Sequence, residues 1–97
     1  MDEIVYYNSL YDLYESLLTE KQRNYFEDYY FRNLSFAEMA DHYHISRNAA
    51  FKQVHIVIQK LVEYEEKLGL FKKKNQLLEI SKKISNKDIQ EELVNLI

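Results

Sequence analysis

Glycine and proline, the residues on which most turns in β-sheets depend, are almost absent from this chain. Its 97 residues include no proline and a single glycine, Gly69. Hairpins and sheet connections usually need one of these residues, so a fold built on strands is disfavoured. The chain is therefore predicted to be all-α, and its length fits one compact domain with an appended helical segment.

The rest of the composition excludes several classes of protein. Cysteine is absent, which excludes disulfides and thiolate metal sites. No run of about 18 apolar residues occurs, and the N-terminal segment MDEIVYYN is acidic instead of cationic. We therefore expect a cytoplasmic protein that does not insert into a membrane.

Apolar residues recur at helical spacing along the whole chain. The periodicity predicts helices over 3–18, 20–32, 36–43 and 46–68, and two amphipathic segments after Gly69, over 70–84 and 86–97. Thr19, Ser35 and Ser46 are predicted N-caps, with Gln22 and Glu38 placed to complete capping boxes. Ser85 is the predicted cap of the last helix. Four residues of the long helix share the predicted core face: Ala50, Val54, Val57 and Leu61.

Residues 35–54, SFAEMADHYHISRNAAFKQV, have the pattern of a helix-turn-helix. His44 stands where the turn needs a left-handed backbone, which histidine tolerates better than most residues. Ile45 is predicted to pack between the two helices. The chain is accordingly divided into a helix-turn-helix core domain, 1–68, and a C-terminal helical extension, 69–97.

In a helix-turn-helix the exposed N-terminal residues of the second helix contact nucleic acid. Here these candidate nucleic-acid-binding residues are Arg47, Asn48, Lys52 and His55. Arginine pairs with guanine or phosphate and asparagine with adenine, while lysine and histidine suit phosphates or base edges.

The charge distribution opposes simple DNA binding. The net charge is −3, and residues 1–48 hold four Lys/Arg against nine Asp/Glu, whereas residues 49–97 hold nine Lys against seven acidic residues. A nucleic-acid-binding domain normally has a strongly basic face. Any such face must therefore be local, and DNA binding by a single copy is predicted to be weak and sensitive to salt.

Neither catalysis nor metal binding has a candidate constellation. Three histidines, no cysteine and scattered carboxylates offer no nucleophile with a base and an orienting group. His42 and His44 form an H-x-H pair without an evident third ligand. The chain is predicted not to be an enzyme, with no cofactor, no metal and no small-molecule substrate.

Four short segments, LTEKQRNY, AEMA, ISRNA and YEEKL, lie within roughly residues 4–74. In order and spacing they resemble the YlxM family of small bacterial proteins. The family in turn resembles region 4 of sigma factors, and its members are encoded beside genes of the signal recognition particle. The resemblance implies a sigma-region-4-like core and an accessory role in that targeting pathway. By position, Ser46 and Arg47 match the family's Ser-Arg start of the recognition helix, while Asn48 stands where Gln is common.

One departure from the family affects the choice among functions. Relatives usually carry two basic residues where this chain has His55 and Ile56, inside the apolar run VHIVI. Losing that pair would remove about two phosphate contacts. Three functions stay open: an accessory protein contacting the particle's RNA or GTPase, a sequence-specific DNA-binding regulator, and a helical protein-interaction module. The apolar stripes of the extension either fold back onto the long helix or pair with a second chain, and we expect a homodimer.

Overall fold

The computed structural model describes residues 2–97 and is all-α. Its helices are α1 (Glu3–Tyr14), α2 (Glu20–Tyr30), α3 (Phe36–Tyr43), α4 (Arg47–Leu68), α5 (Leu70–Ser81) and α6 (Lys87–Leu96). A short 3₁₀ segment, Glu15–Leu17, follows α1. The predicted all-α class and the order of the helices are confirmed, and the molecule measures 56 × 25 × 23 Å.

Side-chain caps set the beginning of the first four helices. The Thr19 and Ser35 hydroxyls accept from the backbone N–H three residues later, and the Gln22 and Glu38 side chains accept in return from the cap residues. Both predicted capping boxes are thus present. They satisfy N–H groups that a helix leaves unpaired at its first turn.

Two contiguous apolar clusters form the core. The first joins α1, α2 and α4, and the second joins α2, α3 and α4. The first contains Leu10, Tyr11, Tyr14, Leu18, Phe26, Val57 and Leu61; the second contains Tyr25, Met39, Ala50 and Val54. The predicted inner face of α4 is therefore confirmed, and its second half packs against α1.

Four predicted details are wrong. Helix α1 ends at Tyr14 and tightens to 3₁₀, which leaves Leu17 about half exposed although its helical spacing predicts a core position. Helix α2 ends at Tyr30, before the predicted Arg32, and α5 ends at Ser81, before the predicted residue 84. Asn86, not Ser85, caps α6, because its side-chain oxygen accepts from the N–H groups of Asp88 and Ile89 at 3.0 and 3.2 Å.

The extension is attached to the core through a polar junction. The Glu65 carboxylate accepts from the Tyr14 hydroxyl at 2.7 Å and from the N–H groups of Phe71 and Lys72 at 3.0 and 3.2 Å. Gly69 precedes α5 with φ +62° and has no side chain to cap it. Glu65 therefore caps α5 from the preceding helix. The division at residues 68 and 69 stays a prediction.

None of the helices within residues 2–97 has the combination of length and apolar character that crossing a membrane requires.

Candidate nucleic-acid interface

The turn between α3 and α4 sets the direction in which α4 leaves the core. His44 ends α3 in the left-handed region, with φ 57° and ψ 45°. Ile45 then packs partly buried against the second core cluster. The Ser46 hydroxyl accepts from the N–H of Ala49 at 3.0 Å and starts α4. The predicted helix-turn-helix is therefore present, with each turn residue in its predicted role.

All four predicted recognition residues lie on the exposed side of the first turns of α4. Arg47, Asn48, Lys52 and His55 are each solvent-exposed, and they lie within nine residues, about 12 Å of helix. Arg47 and Lys52 belong to no ion pair within residues 2–97. Both cations are thus available to an external partner.

The electrostatics at the start of α4 differ from those of most other helices. Acidic residues occupy the first turn of α1, α2, α3 and α6, and none occupies the first turn of α4. A helix N-terminus carries a partial positive charge that acidic side chains neutralise. At α4 this charge is kept and lies beside Arg47.

Aromatic rings that sequence reasoning left out of the site run through the same surface. Phe51 is 48% exposed, and its ring stacks on His55 with centroids 5.8 Å apart and planes 8° apart. Phe36 meets Phe51 edge-on at 5.5 Å and stacks in turn on Tyr29 at 4.7 Å. The i, i+4, i+8 spacing of Arg47, Phe51 and His55 already places them on one stripe.

The apolar run in the middle of α4 splits between core and surface. Val57 is buried and Ile58 is partly buried, while Ile56 is 40% exposed. Ile56 therefore faces away from the core. The exposed face of α4, defined by Arg47, Asn48, Phe51, Lys52, His55 and Ile56, therefore combines cationic, aromatic and aliphatic groups; it is called the α4 face below.

A buried carboxylate links α2 to α3. Asp28 is 6% exposed, accepts from Arg32 at 2.6 Å and also accepts from the Tyr43 hydroxyl. Burial, together with the hydrogen bond to Asp28, raises the pKa of Tyr43 to about 12. Arg32 is thus occupied in the structure, which leaves it unable to act as a free cation for a partner.

The two histidines of the H-x-H pair, His42 and His44, do not form part of a metal site within residues 2–97. No group of three His, Asp or Glu side chains within residues 2–97 is placed to hold a metal ion. His42 packs edge-on against Tyr43 at 4.7 Å, and His44 lies in the turn.

A family model and individual relatives of this chain indicate the same protein family. A family model described as "Putative helix-turn-helix protein, YlxM / p13 like" matches residues 1–97. A UPF0122 protein of Shouchella clausii is 41% identical over 100% of this chain and 93% of its own length. One from Halalkalibacterium halodurans is 39% identical with the same coverage. One from Anoxybacillus flavithermus is 46% identical over 71% of this chain and 63% of its own.

Proposed function

The chain belongs to the YlxM / p13-like helix-turn-helix family, and we propose that it is a non-enzymatic accessory protein of the signal recognition particle pathway. In this proposal the α4 face is the contact surface, and the partner is the particle's RNA or its GTPase. The pathway itself rests on the resemblance in sequence to the YlxM family. The contact surface rests on the structure.

The observation that supports this choice is the mixed chemistry of the α4 face. A reader of duplex DNA presents polar side chains to base edges, and an apolar side chain finds mainly the thymine methyl there. Phe51 and Ile56 are 48% and 40% exposed on this face. An aromatic ring can stack on an unpaired base of folded RNA, and both side chains can be buried against a protein.

The charge balance favours the same choice. Arg47 and Lys52 are the two cations of the α4 face, while residues 1–48 as a whole carry a net charge of −5. Affinity for duplex DNA grows with each phosphate that a Lys or Arg neutralises. Two cations in an acidic surrounding supply little of this affinity, whereas a protein or a folded RNA offers contacts beyond phosphate.

A sequence-specific DNA-binding regulator is the second candidate. It is favoured by the start of α4, where Arg47 and Asn48 are exposed and no acidic residue occupies the first turn. This is the end of a recognition helix that approaches the bases in the major groove. Two copies could present two such ends to successive turns of DNA.

Titrations with purified components separate these candidates. Labelled signal recognition particle RNA, the particle's GTPase and a pool of random duplex DNA are each titrated with the wild type and with two variants, Arg47→Ala/Lys52→Ala and Phe51→Ala. For the proposed function, RNA or GTPase binds more tightly than DNA, and both variants weaken binding at least tenfold. The loss in the Phe51 variant distinguishes a mixed contact from a purely ionic one.

A charge-matched control accounts for nonspecific electrostatics. Lys67→Ala/Lys82→Ala removes two cations that are 69% and 70% exposed and lie outside the α4 face. It should leave the affinity within about twofold. Equal losses in both double variants, or tight binding to discrete duplex segments only, would make the particle role wrong. If only discrete duplex segments bind tightly, the slope of the logarithm of the binding constant against the logarithm of salt concentration should correspond to about two fewer released ions in Arg47→Ala/Lys52→Ala. That result identifies the DNA regulator.

A further inference from the structure

The last helix of the chain exposes an apolar surface that its own fold does not cover. Helix α6 has ten residues, and none of them is buried. It packs on α5 through a partly buried Leu93 and through Gln90, whose amide donates to the Ser81 carbonyl at 2.8 Å. Ile89 and Leu96 stay 52% and 86% exposed. A helix this short gains its stability in water from covering such a face.

A second uncovered stripe runs along α5. Leu70, Leu77 and Ile80 are 42%, 40% and 52% exposed. With Lys73 they follow the alternating three- and four-residue spacing of a helix-pairing seam. Helix α5 contacts α1 through Phe71, whose ring lies 5.3 Å from that of Tyr6. The name extension surface is used below for these exposed residues of both helices: Leu70, Lys73, Leu77, Ile80, Ile89 and Leu96.

The two helices carry opposite charges beside their apolar stripes. Within its bounds α5 contains three lysines and one glutamate, a balance of +2, and Lys82 and Lys83 follow it. Within its bounds α6 contains one lysine and three acidic residues, a balance of −2. Two α5 helices brought together would repel each other, and so would two α6 helices. An α5 helix against an α6 helix is attractive.

We propose that the extension surface binds a second copy of this chain, with α5 of each copy lying against α6 of the other. This arrangement is self-complementary, because a twofold axis relates two identical α5–α6 contacts. Each contact covers both apolar stripes and places opposite charges together. The basic α5 of one copy, with Lys73 and Lys74, then lies against the acidic α6 of the other. A partner of uniform charge would match only one of the two helices.

The exposed area is sufficient for a specific dimer. Five side chains (Leu70, Leu77, Ile80, Ile89 and Leu96) together expose roughly 400 Å² of apolar surface in each copy. Since about 60% of an interface is apolar, this corresponds to roughly 650 Å² for each copy and about 1,300 Å² in total. That total exceeds the value of about 1,000 Å² that a specific interface needs.

The first test is the mass in solution of the full chain and of single variants, measured by sedimentation and light scattering at micromolar concentrations. The wild type should be a dimer, and Ile80→Asp and Ile89→Asp should each weaken dimerisation at least tenfold. Ile4→Asp is the matched control, because Ile4 lies on α1 and is 53% exposed, nearly the same as Ile80. It should stay dimeric. A monomeric wild type at high micromolar concentration, or dimers in all three variants, would overturn the proposal.

The second test exchanges the charges. Lys73→Glu/Lys74→Glu makes both helices of one chain acidic, and Glu91→Lys/Glu92→Lys makes both helices of another chain basic. Each variant alone should be largely monomeric because α5 and the facing α6 now repel. Mixed in equal amounts, the two should form a heterodimer, as native mass spectrometry can detect. If the wild type is dimeric but the mixture gives no heterodimer, the α5–α6 arrangement is wrong.

Discussion

Replacing Glu65 with alanine should release the C-terminal extension from the core. The carboxylate accepts three hydrogen bonds, one from the buried Tyr14 and two from the N–H groups of Phe71 and Lys72 in the first turn of α5. Loss of the cap costs about 1 kcal/mol. Loss of the hydrogen bond from Tyr14 to a charged group costs a further 1.5–3 kcal/mol or so. The variant should therefore weaken the docking of α5 by roughly 2–4 kcal/mol.

Two measurements detect this loss of docking free energy. Urea unfolding followed by circular dichroism gives the change in global stability, and amide hydrogen exchange gives the opening of α5 by itself. Because about 1.4 kcal/mol corresponds to a factor of ten, exchange of the amides at 74–81 should accelerate roughly 30-fold or more. Exchange in the buried part of α4 should change much less if α5 opens locally.

Neighbouring variants serve as controls. Glu66→Ala changes an exposed glutamate beside the junction and should stay within about 0.5 kcal/mol of the wild type. Tyr14→Phe keeps the ring and removes the hydroxyl, so it should cost about 1–2 kcal/mol. Combined with Glu65→Ala it should show a coupling of about 1 kcal/mol, since the two groups share one hydrogen bond. Glu65→Ala with unchanged α5 exchange and no coupling would refute the reasoning.

Three further perturbations test the helix-turn-helix itself. His44→Gly should raise stability by roughly 0.5–1 kcal/mol, because glycine adopts φ 57° without strain, and thermal unfolding against His44→Ala checks it. Asp28→Ala should cost about 2–3 kcal/mol by leaving Tyr43 and Arg32 without their buried acceptor, whereas an unchanged urea midpoint would contradict this. Burial raises the pKa of Tyr43 and Tyr30 to about 12, above the unfolded value near 10. The free energy of unfolding should therefore keep its full value below pH 10 and decrease between pH 10 and 12. Unfolding free energies across that range, paired with phenolate absorbance, check the direction.

Local signals made most of the core predictable. Thr19, Ser35 and Ser46 each act within one helical turn, so their caps could be read from short segments. The buried face of α4 followed from periodicity alone. The left-handed backbone at His44 was predictable because a helix-turn-helix requires it at that place.

Features that depend on tertiary contacts were not predictable. The Tyr14–Glu65 hydrogen bond joins residues 51 positions apart, and no local pattern indicates it. Leu17 keeps helical spacing but lies in a 3₁₀ segment, where the tighter turn rotates it outward. Ser85 and Asn86 are adjacent residues of capping type, and the turn after α5, closed by the Ile84 N–H to the Ser81 carbonyl, places Asn86 at the start of α6.

The exposure of the candidate residues was predictable from helical spacing, whereas the aromatic contacts on the same surface were not. Arg47, Asn48, Lys52 and His55 were selected because their side chains suit nucleic acid, and all four are exposed as expected. Phe51 is 48% exposed on the same face but was not among the selected residues, which were chosen for polar chemistry that suits nucleic acid. Its ring is held by Phe36 and His55, contacts that become visible only in three dimensions.

The measurement that tests the central claim most directly is capture from a lysate of the source cell. The tagged chain and its Arg47→Ala/Lys52→Ala variant are used as bait, each with nuclease-treated and untreated halves, and bound protein and nucleic acid are identified together. The proposed function predicts the signal recognition particle RNA or GTPase with the wild type and a clear loss with the variant. Retention after nuclease would identify the GTPase as the direct contact. Discrete duplex DNA segments without any particle component would contradict the proposed function.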